Sequence, residues 1–495
     1  MRSLGLYLVL CLVTAGVRPA VAQSDCRPAT GGLAPAALLE RADSAMQVER
    51  AGGKLLHWIG MRGTANDYQS DRTYPPFFQS FNSEEGWYAP TTGAIRLRGQ
   101  IWYIGGFGAN GAPELLSSAT ATWVARDTSL VAIPAARPLG DAMRRMDPWA
   151  VIHDWRTGAP VVVEGRCVYR DYPRIVLART VDRTIERLFL DPKTGFPVKL
   201  ERVEPHYLWG QSRVEYVWSN WQEAKGVMTP GSTFRMVDGE TEVARTISQV
   251  DLLSPDSAPS LRLPDPGLAQ AAMLPAFLTP TPPDTVRVGP ATVLLVNRGY
   301  TEVVALRRDT VFVFDATQAE ARARADSSWI ARLFPGPHPV VVVVTDLAWP
   351  HVAGVRFWVA RGATIVAHRA AEPFLRKVID RRWTATPDLL EQLRSRGQLP
   401  RWRFRAVDDA LTLAGGDITL HAIDGITSEV ALLGWLPGDR FLWASDYIQT
   451  SAAPTEYTAE VRAAVRRAGL SPERVAAEHL RLTPWATFDA MYPTR

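Results

Sequence analysis

The chain has 495 residues, 46% of them hydrophobic and 21% charged, which is long enough for two domains of ordinary size. Its formal charge of +4 falls by two once Arg2 and Arg18 of an N-terminal leader are set aside, so the basic balance makes no case for a nucleic-acid partner. Past the leader no stretch approaches about 18 consecutive apolar residues, which excludes a transmembrane span.

Arg2, an apolar run over 4–15 and Ala20-Val21-Ala22 read as a Sec-type signal peptide spanning 1–22, which predicts a periplasmic or secreted protein. Leu10 and Asp25 precede Cys11 and Cys26, so neither cysteine follows the small residue that a lipoprotein anchor uses. Cleavage leaves Cys26 and Cys167, an even pair that favours one disulfide, with two free thiols as the alternative. There is no C-x-x-C and no Cys/His cluster, which excludes a structural zinc knuckle.

Residues 35–50 carry Leu38, Leu39 and Met46 on one side of an expected helix. From 55 to 253 the pattern is of strands, with Asp191-Pro192-Lys193-Thr194-Gly195 and Asp238-Gly239 as hairpin turns, so 23–253 is expected to be one antiparallel curved sheet. It holds tryptophans at 58, 87, 102, 123, 149, 155, 209, 218 and 221; such a face either cradles an apolar ligand or is simply core. Residues 254–285 are proline-rich and read as a linker or strap, with a short docked helix within 268–278.

From 286 to 495 strands and helices alternate. Strands are expected near 291–296, 303–306 and 311–314, then a helix over 318–333. The valine run 340–344 is a buried strand, followed by a loop, a helix with Val352, Val355 and Val359 at helical spacing that stops at Gly362, and a strand over 363–368. A helix over 387–395, strands near 411–413, 418–423, 430–435 and 441–445, a helix over 455–468, a strand near 474–477 and a final short helix complete the chain.

The loop after the valine run is Thr345-Asp346-Leu347-Ala348-Trp349-Pro350-His351-Val352-Ala353-Gly354. With VFVFDA (311–316), the Leu436-Pro437 turn, the strand leading to Asp446 and the segment around His479, it resembles the metallo-β-lactamase superfamily, whose corresponding loop reads T-H-x-H-x-D-H-x-G-G. The resemblance implies a C-terminal αββα sandwich over 286–495 and a structural Asp315. It also implies that most ligands are lost. The first metal site would fall on Asp346, Ala348 and Thr427, of which alanine has no donor and a neutral hydroxyl is a poor one. The second would fall on Pro350, His351, Asp446 and His479, leaving two imidazoles and a carboxylate.

The order of helix, long meander, LFLDPKTGFPVKLE and Y-W-S-N-W resembles the half-barrel of periplasmic lipoprotein carriers, and implies an α+β chain of two domains. Three functions are compatible with this. The first is an exported, largely non-catalytic protein that binds an unknown small molecule, lipid or partner and holds no cofactor. The second is a mononuclear hydrolase of esters, thioesters or amides with one zinc or other divalent metal on His351, Asp446 and His479, and Asp346 as base. The third is lipid or lipoprotein handling by the N-terminal half. Structural roles are expected for His57, His153, His206, His338, His368 and His421.

Overall fold

The structure is a computed structural model that describes residues 26–27, 34–65, 78–103, 110–126, 129–132, 137–181, 184–206, 208–257, 259, 261–262, 282–297, 300–317, 319–347, 349–425, 429–448 and 456–491. The expected signal peptide over 1–22 and the expected helix within 268–278 lie outside the described residues. Among the described residues no helix is long and apolar enough to cross a membrane.

Most of the first half is one 14-stranded sheet whose neighbours pair antiparallel, from Cys26–Arg27 at one edge to Ser129–Ala132 at the other. Cys26 faces Cys167 in register and is disulfide-bonded to it, which ties the start of the described chain to an edge strand. Helix Pro35–Met46 buries Leu38, Leu39, Ala42 and Met46 at three- and four-residue spacing against the sheet. It ends at Gln47, whose left-handed backbone lets its N–H reach the carbonyls of Asp43 and Ser44.

The span 55–253 is not all strand. Helices Arg137–Met146 and Pro148–Thr157 interrupt it, the second with proline at its first turn and with Trp149, Val151, Ile152 and Trp155 buried. These three helices and the tryptophans fill the face that they cover: Trp58, Trp149, Trp155 and Trp218 belong to one core cluster with them. Trp218 Nε1 donates to the Met146 carbonyl and Trp149 Nε1 to that of Met228, both at 3.1 Å. The same covered face carries an ion network in which Arg179 and Arg202 converge on Glu186. Tryptophan here is core, and the charged ladder beside it is a poor wall for an acyl chain.

The second half has two sheets. Seven strands (Asp284–Gly289, Thr292–Asn297, Tyr300–Arg307, Thr310–Phe314, Val340–Val344, Thr364–His368 and Arg403–Val407) follow one another in order, the first four antiparallel and the rest parallel. Six more (Ala410–Leu413, Ile418–Ala422, Leu432–Leu436, Phe441–Trp443, Arg474–Ala477 and Leu480–Pro484) form the other sheet, where only Phe441–Trp443 and Arg474–Ala477 run parallel.

One apolar cluster, with Phe314, Val343 and Val366 from the first sheet and Leu420, Leu436 and Trp443 from the second, lies between them. The valine run is buried on both faces, which explains why it shows no polar alternation. Val343 enters the layer between the sheets, while Val342 and Val344 point the other way, toward helices Glu320–Leu333 and Val355–Ala360. Helices Glu456–Arg467 and Trp485–Met491 cover the outer face of the second sheet.

The expected helix after the loop is split into Trp349–Val352 and Val355–Ala360. Gly354 causes the break: its N–H donates to the Ala316 carbonyl, and a Cβ there would stand 2.8 Å from that oxygen. Helix Glu372–Asp380 and strands Asp284–Gly289, Arg403–Val407 and Leu480–Pro484 are additions to the expected elements. The two halves touch directly, with Trp209 edge-on to Phe374 at 5.8 Å and Arg381 donating to the Gln211 carbonyl and Asp238 at 2.8 Å each.

Candidate functional site

Four strand ends deliver the site. Thr310–Phe314 and Val340–Val344 are parallel, with Phe314 beside Val343, so Asp315 and Thr345 emerge together at one rim. In the other sheet Phe441–Trp443 and Arg474–Ala477 are parallel, with Trp443 beside Ala476, so Asp446 and Glu478 emerge at the same rim. Asp315 locks the two sheets: its carboxylate accepts from Thr345 N at 2.7 Å, the Thr345 hydroxyl at 2.8 Å and Trp443 Nε1 at 3.2 Å. Ser445 Oγ lies 2.9 Å from the same hydroxyl. Ser445 takes a left-handed φ of 53°, which breaks the strand alternation just before Asp446.

His351 is fully buried between carboxylates. Its Nδ1 lies 3.0 Å from Asp315 Oδ2 and its Nε2 3.2 Å from Glu478 Oε2. Burial alone would lower its pKa, but the charges of Glu478 and Asp315 outweigh it and hold the imidazole well above its ordinary value. Ligand atoms of His351, Asp446 and Glu478 lie within 4.8 Å of one another. Asp446 is half-buried, and burial and the Glu478 charge push its carboxyl up to about 7, against His479 and His351. His479 stands at the open side, Nε2 3.4 Å from Asp446 Oδ1 and 3.5 Å from Glu478 Oε2, with the Tyr300 ring 4.9 Å away. Burial and the Glu478 and Asp446 charges push the Tyr300 phenol up to about 12, so it stays protonated.

Of the residues singled out in the sequence, His351, Asp446 and His479 thus meet at one place, and Asp346 is buried on the same rim, close enough for its charge to act on Asp446. Pro350 lies in helix Trp349–Val352; Ala348 and Thr427 fall outside the described residues. Glu478 is the residue that the sequence reading missed, although alternation points to it. Ala476 faces the layer between the sheets and Ala477 the outer helices, so 478 and not 479 turns inward toward His351.

Behind the site, strand Tyr300–Arg307 turns Glu302 toward helix Glu320–Leu333, where Thr317 Oγ1 donates to it at 2.8 Å and Arg322 pairs with Asp326 at 2.5 Å. Burial and the Asp326 charge push the Glu302 carboxyl well above its ordinary value against Arg322, and burial pushes Asp326 up to about 6. A raised folded-state value means that the associated stability is present where Glu302 is protonated in both states and is lost as pH rises through the raised value. The slope for one such proton is up to about 1.4 kcal/mol per pH unit. Glu302→Gln keeps an acceptor for Thr317 and removes the titration. In urea unfolding it should match the parent at about pH 4.5 and exceed it at about pH 8. Identical pH slopes for the two proteins would show that Glu302 is not raised.

No family model matches the chain, and no curated protein is similar to it in sequence. Among solved structures the chain is similar to the DIM-1 metallo-β-lactamase, with 13% identity, coverage of 43% of this chain and 95% of that one, and a TM-score of 0.32. It is also similar to the metallo-β-lactamase FIM-1 from Pseudomonas aeruginosa in the mono-zinc form, with 9% identity, 43% and 93% coverage, and a TM-score of 0.33. A LolA superfamily protein from Nitrosomonas europaea is matched at 14% identity, with 46% and 97% coverage and a TM-score of 0.32.

Proposed function

We propose that this is an exported two-domain protein with a lipoprotein-carrier-like half-barrel over 23–253, a linker over 254–285 and a metallo-β-lactamase-like sandwich over 286–495. In this reading the sandwich has kept one divalent-cation site, most simply for zinc, and uses it to bind a ligand rather than to hydrolyse one rapidly. The observation that carries it is the convergence of His351, Asp446 and Glu478 at the joint rim of the two sheets.

The donor set fits such a cation. Neither nitrogen of His351 and neither oxygen of Glu478 makes a well-directed hydrogen bond, although all are buried and His351 Nε2 stands in short contact with Glu478 Oε2. With Nδ1–H aimed at Asp315, the Nε2 lone pair would face a carboxylate oxygen, a repulsive pairing unless a cation or a proton lies between them. Two ligands of one tetrahedral zinc, bonded at about 2.0–2.1 Å, stand roughly 3.3–3.4 Å apart. The 3.2 Å from His351 to Glu478 is of that order, and the ligand atoms of His351, Asp446 and Glu478 lie within 4.8 Å of one another.

Asp315 would orient the His351 ring through Nδ1, the outer-shell partner that metal-binding imidazoles generally have. Asp446 and His479 form the solvent-facing side, about a quarter exposed each, where a ligand enters. A bound cation would supply charge to polarise a ligand oxygen and to lower the pKa of adjacent water. The loop has proline at 350, where the loop of the superfamily it resembles carries an aspartate, so in this reading it lacks the carboxylate that would hold a nucleophilic water. That favours binding over hydrolysis.

Metal analysis of residues 23–495, the expected mature chain, after zinc loading and desalting tests the reading. The parent should hold about one equivalent, and Glu478→Gln and His351→Ala should hold much less, with circular dichroism showing both variants folded. A zinc-free parent would end the single-cation reading.

A further inference from the structure

The positive charge of the chain is concentrated in one segment. Residues 369–405 hold ten arginine or lysine residues against four carboxylates, a net of +6 (ten less four), whereas the whole chain carries +4. Everything outside this segment is therefore slightly acidic. Six of the ten are matched by a carboxylate, among them Arg382 and Arg394 by Glu391. Arg396, Arg401, Arg403 and Arg405 are exposed, and among the described residues none of the four pairs with a carboxylate. Arg405 donates to the Thr412 carbonyl at 3.4 Å.

The fold gathers these four at one corner. Strand Arg403–Val407 is the last of the seven-stranded sheet, so one edge of its backbone is open. Alternation turns Trp402 and Phe404 to the core and Arg401, Arg403 and Arg405 outward, roughly 7 Å apart along the chain. The strand runs parallel to Thr364–His368 and Val340–Val344, whose C-terminal ends face the rim of the cation site. The loop that enters it therefore lies at the opposite end of the sheet, at least about 13 Å from that rim for a five-residue strand. In this loop Leu399 is 44% exposed, between Arg396 and Arg401.

Charges on an edge strand also prevent edge-to-edge pairing, which accounts for Arg403 and Arg405. It does not account for Arg396 and Arg401, which precede the strand, or for an exposed leucine between them. An acidic protein would match the charge and leave Leu399 without a role. A bilayer interface takes both, with guanidiniums among the phosphates and an apolar side chain at the acyl boundary.

We infer that this corner docks on an anionic phospholipid surface, with Arg396, Arg401, Arg403 and Arg405 against the phosphates and Leu399 inserted beside them. The rim of the cation site then faces away from the bilayer and stays open to solvent. The docking does not depend on whether that site holds a cation.

Co-sedimentation of the chain 23–495 with lipid vesicles tests this. The protein should bind phosphatidylcholine vesicles that contain about 30% phosphatidylglycerol, come off at about 0.5 M salt, and ignore pure phosphatidylcholine. Arg396→Gln/Arg401→Gln/Arg403→Gln/Arg405→Gln should weaken binding by about a hundredfold or more, since each basic residue at such a surface contributes about fivefold. Leu399→Ser should weaken it by about threefold or more. The control Arg27→Gln/Arg166→Gln/Arg481→Gln, on exposed arginines elsewhere, should change it by less than about threefold, because distant charges are screened.

Equal binding by the parent and the fourfold variant, or an equal loss in the control, would overturn the inference. So would a parent that ignores the anionic vesicles at about 0.1 M salt. Binding to poly-glutamate but not to vesicles would assign the corner to an acidic protein, and the lipid assignment would fall.

Discussion

Asp315→Ala should destabilise the protein by about 3–5 kcal/mol, the range for stripping a buried charged group from donors that depend on it. Asp315 is 1% exposed; Thr345 N, the Thr345 hydroxyl and Trp443 Nε1 donate to its carboxylate, and His351 Nδ1 stands in ion-pair contact with it at 3.0 Å. Alanine would orphan all of them at the joint between the two sheets. Backbone strain adds to this, because φ is 73° here, a left-handed conformation that aspartate and asparagine tolerate better than alanine.

Asp315→Asn keeps that backbone and one acceptor oxygen, so it should fold at a smaller cost. Its diagnostic effect is on the site. An amide cannot take the His351 Nδ1–H and the other donors together, so zinc affinity measured by chelator competition should drop by about 10–100-fold. Parent-like zinc affinity in the asparagine variant would mean that Asp315 staples the sheets but does not orient His351.

Arg356→Ala is expected to cost a similar amount, about 3–5 kcal/mol, with no direct effect on the site. Arg356 is buried on helix Val355–Ala360 and forks onto Asp388 with Nε at 2.6 Å and Nη2 at 3.0 Å. Its Nη1 donates to the carbonyls of Val378, Ile379 and Arg381 at 2.8–2.9 Å, which satisfies the end of helix Glu372–Asp380. Asp388 in turn caps helix Leu389–Ser395 through Glu391 N at 2.8 Å.

One guanidinium therefore holds three helices together. Lysine should rescue little, because it cannot fork and reach the carbonyls as well. Arg356→Met/Asp388→Asn should be less costly than Arg356→Met alone, since the double change leaves no unpaired buried charge. Additive costs in chemical denaturation would refute this coupling.

Local pattern alone located much of this molecule. The valine run, the loop beginning at Thr345, the strand leading to Asp446 and the last short strand before His479 stand where periodicity put them, because burial on both faces or an abrupt turn leaves a trace in one short window. Helices Arg137–Met146 and Pro148–Thr157 were lost in a strand-rich span, since a ten-residue helix buried on most sides, like a buried strand, shows little polar alternation. The break at Gly354 could not be read from spacing either, because its cause is the Ala316 carbonyl, 38 residues upstream (354 less 316).

What the sequence by itself determined was which residues could be ligands: His351, Asp446 and His479. What only the tertiary structure decided was which of them meet. Two separate pairs of parallel strands end at one rim, so Glu478, 127 positions from His351 (478 less 351), arrives 3.2 Å from its imidazole while His479 is turned outward. The physical reason is that a strand fixes the face of each residue by a period of two, but which faces confront each other is set by the packing of the two sheets.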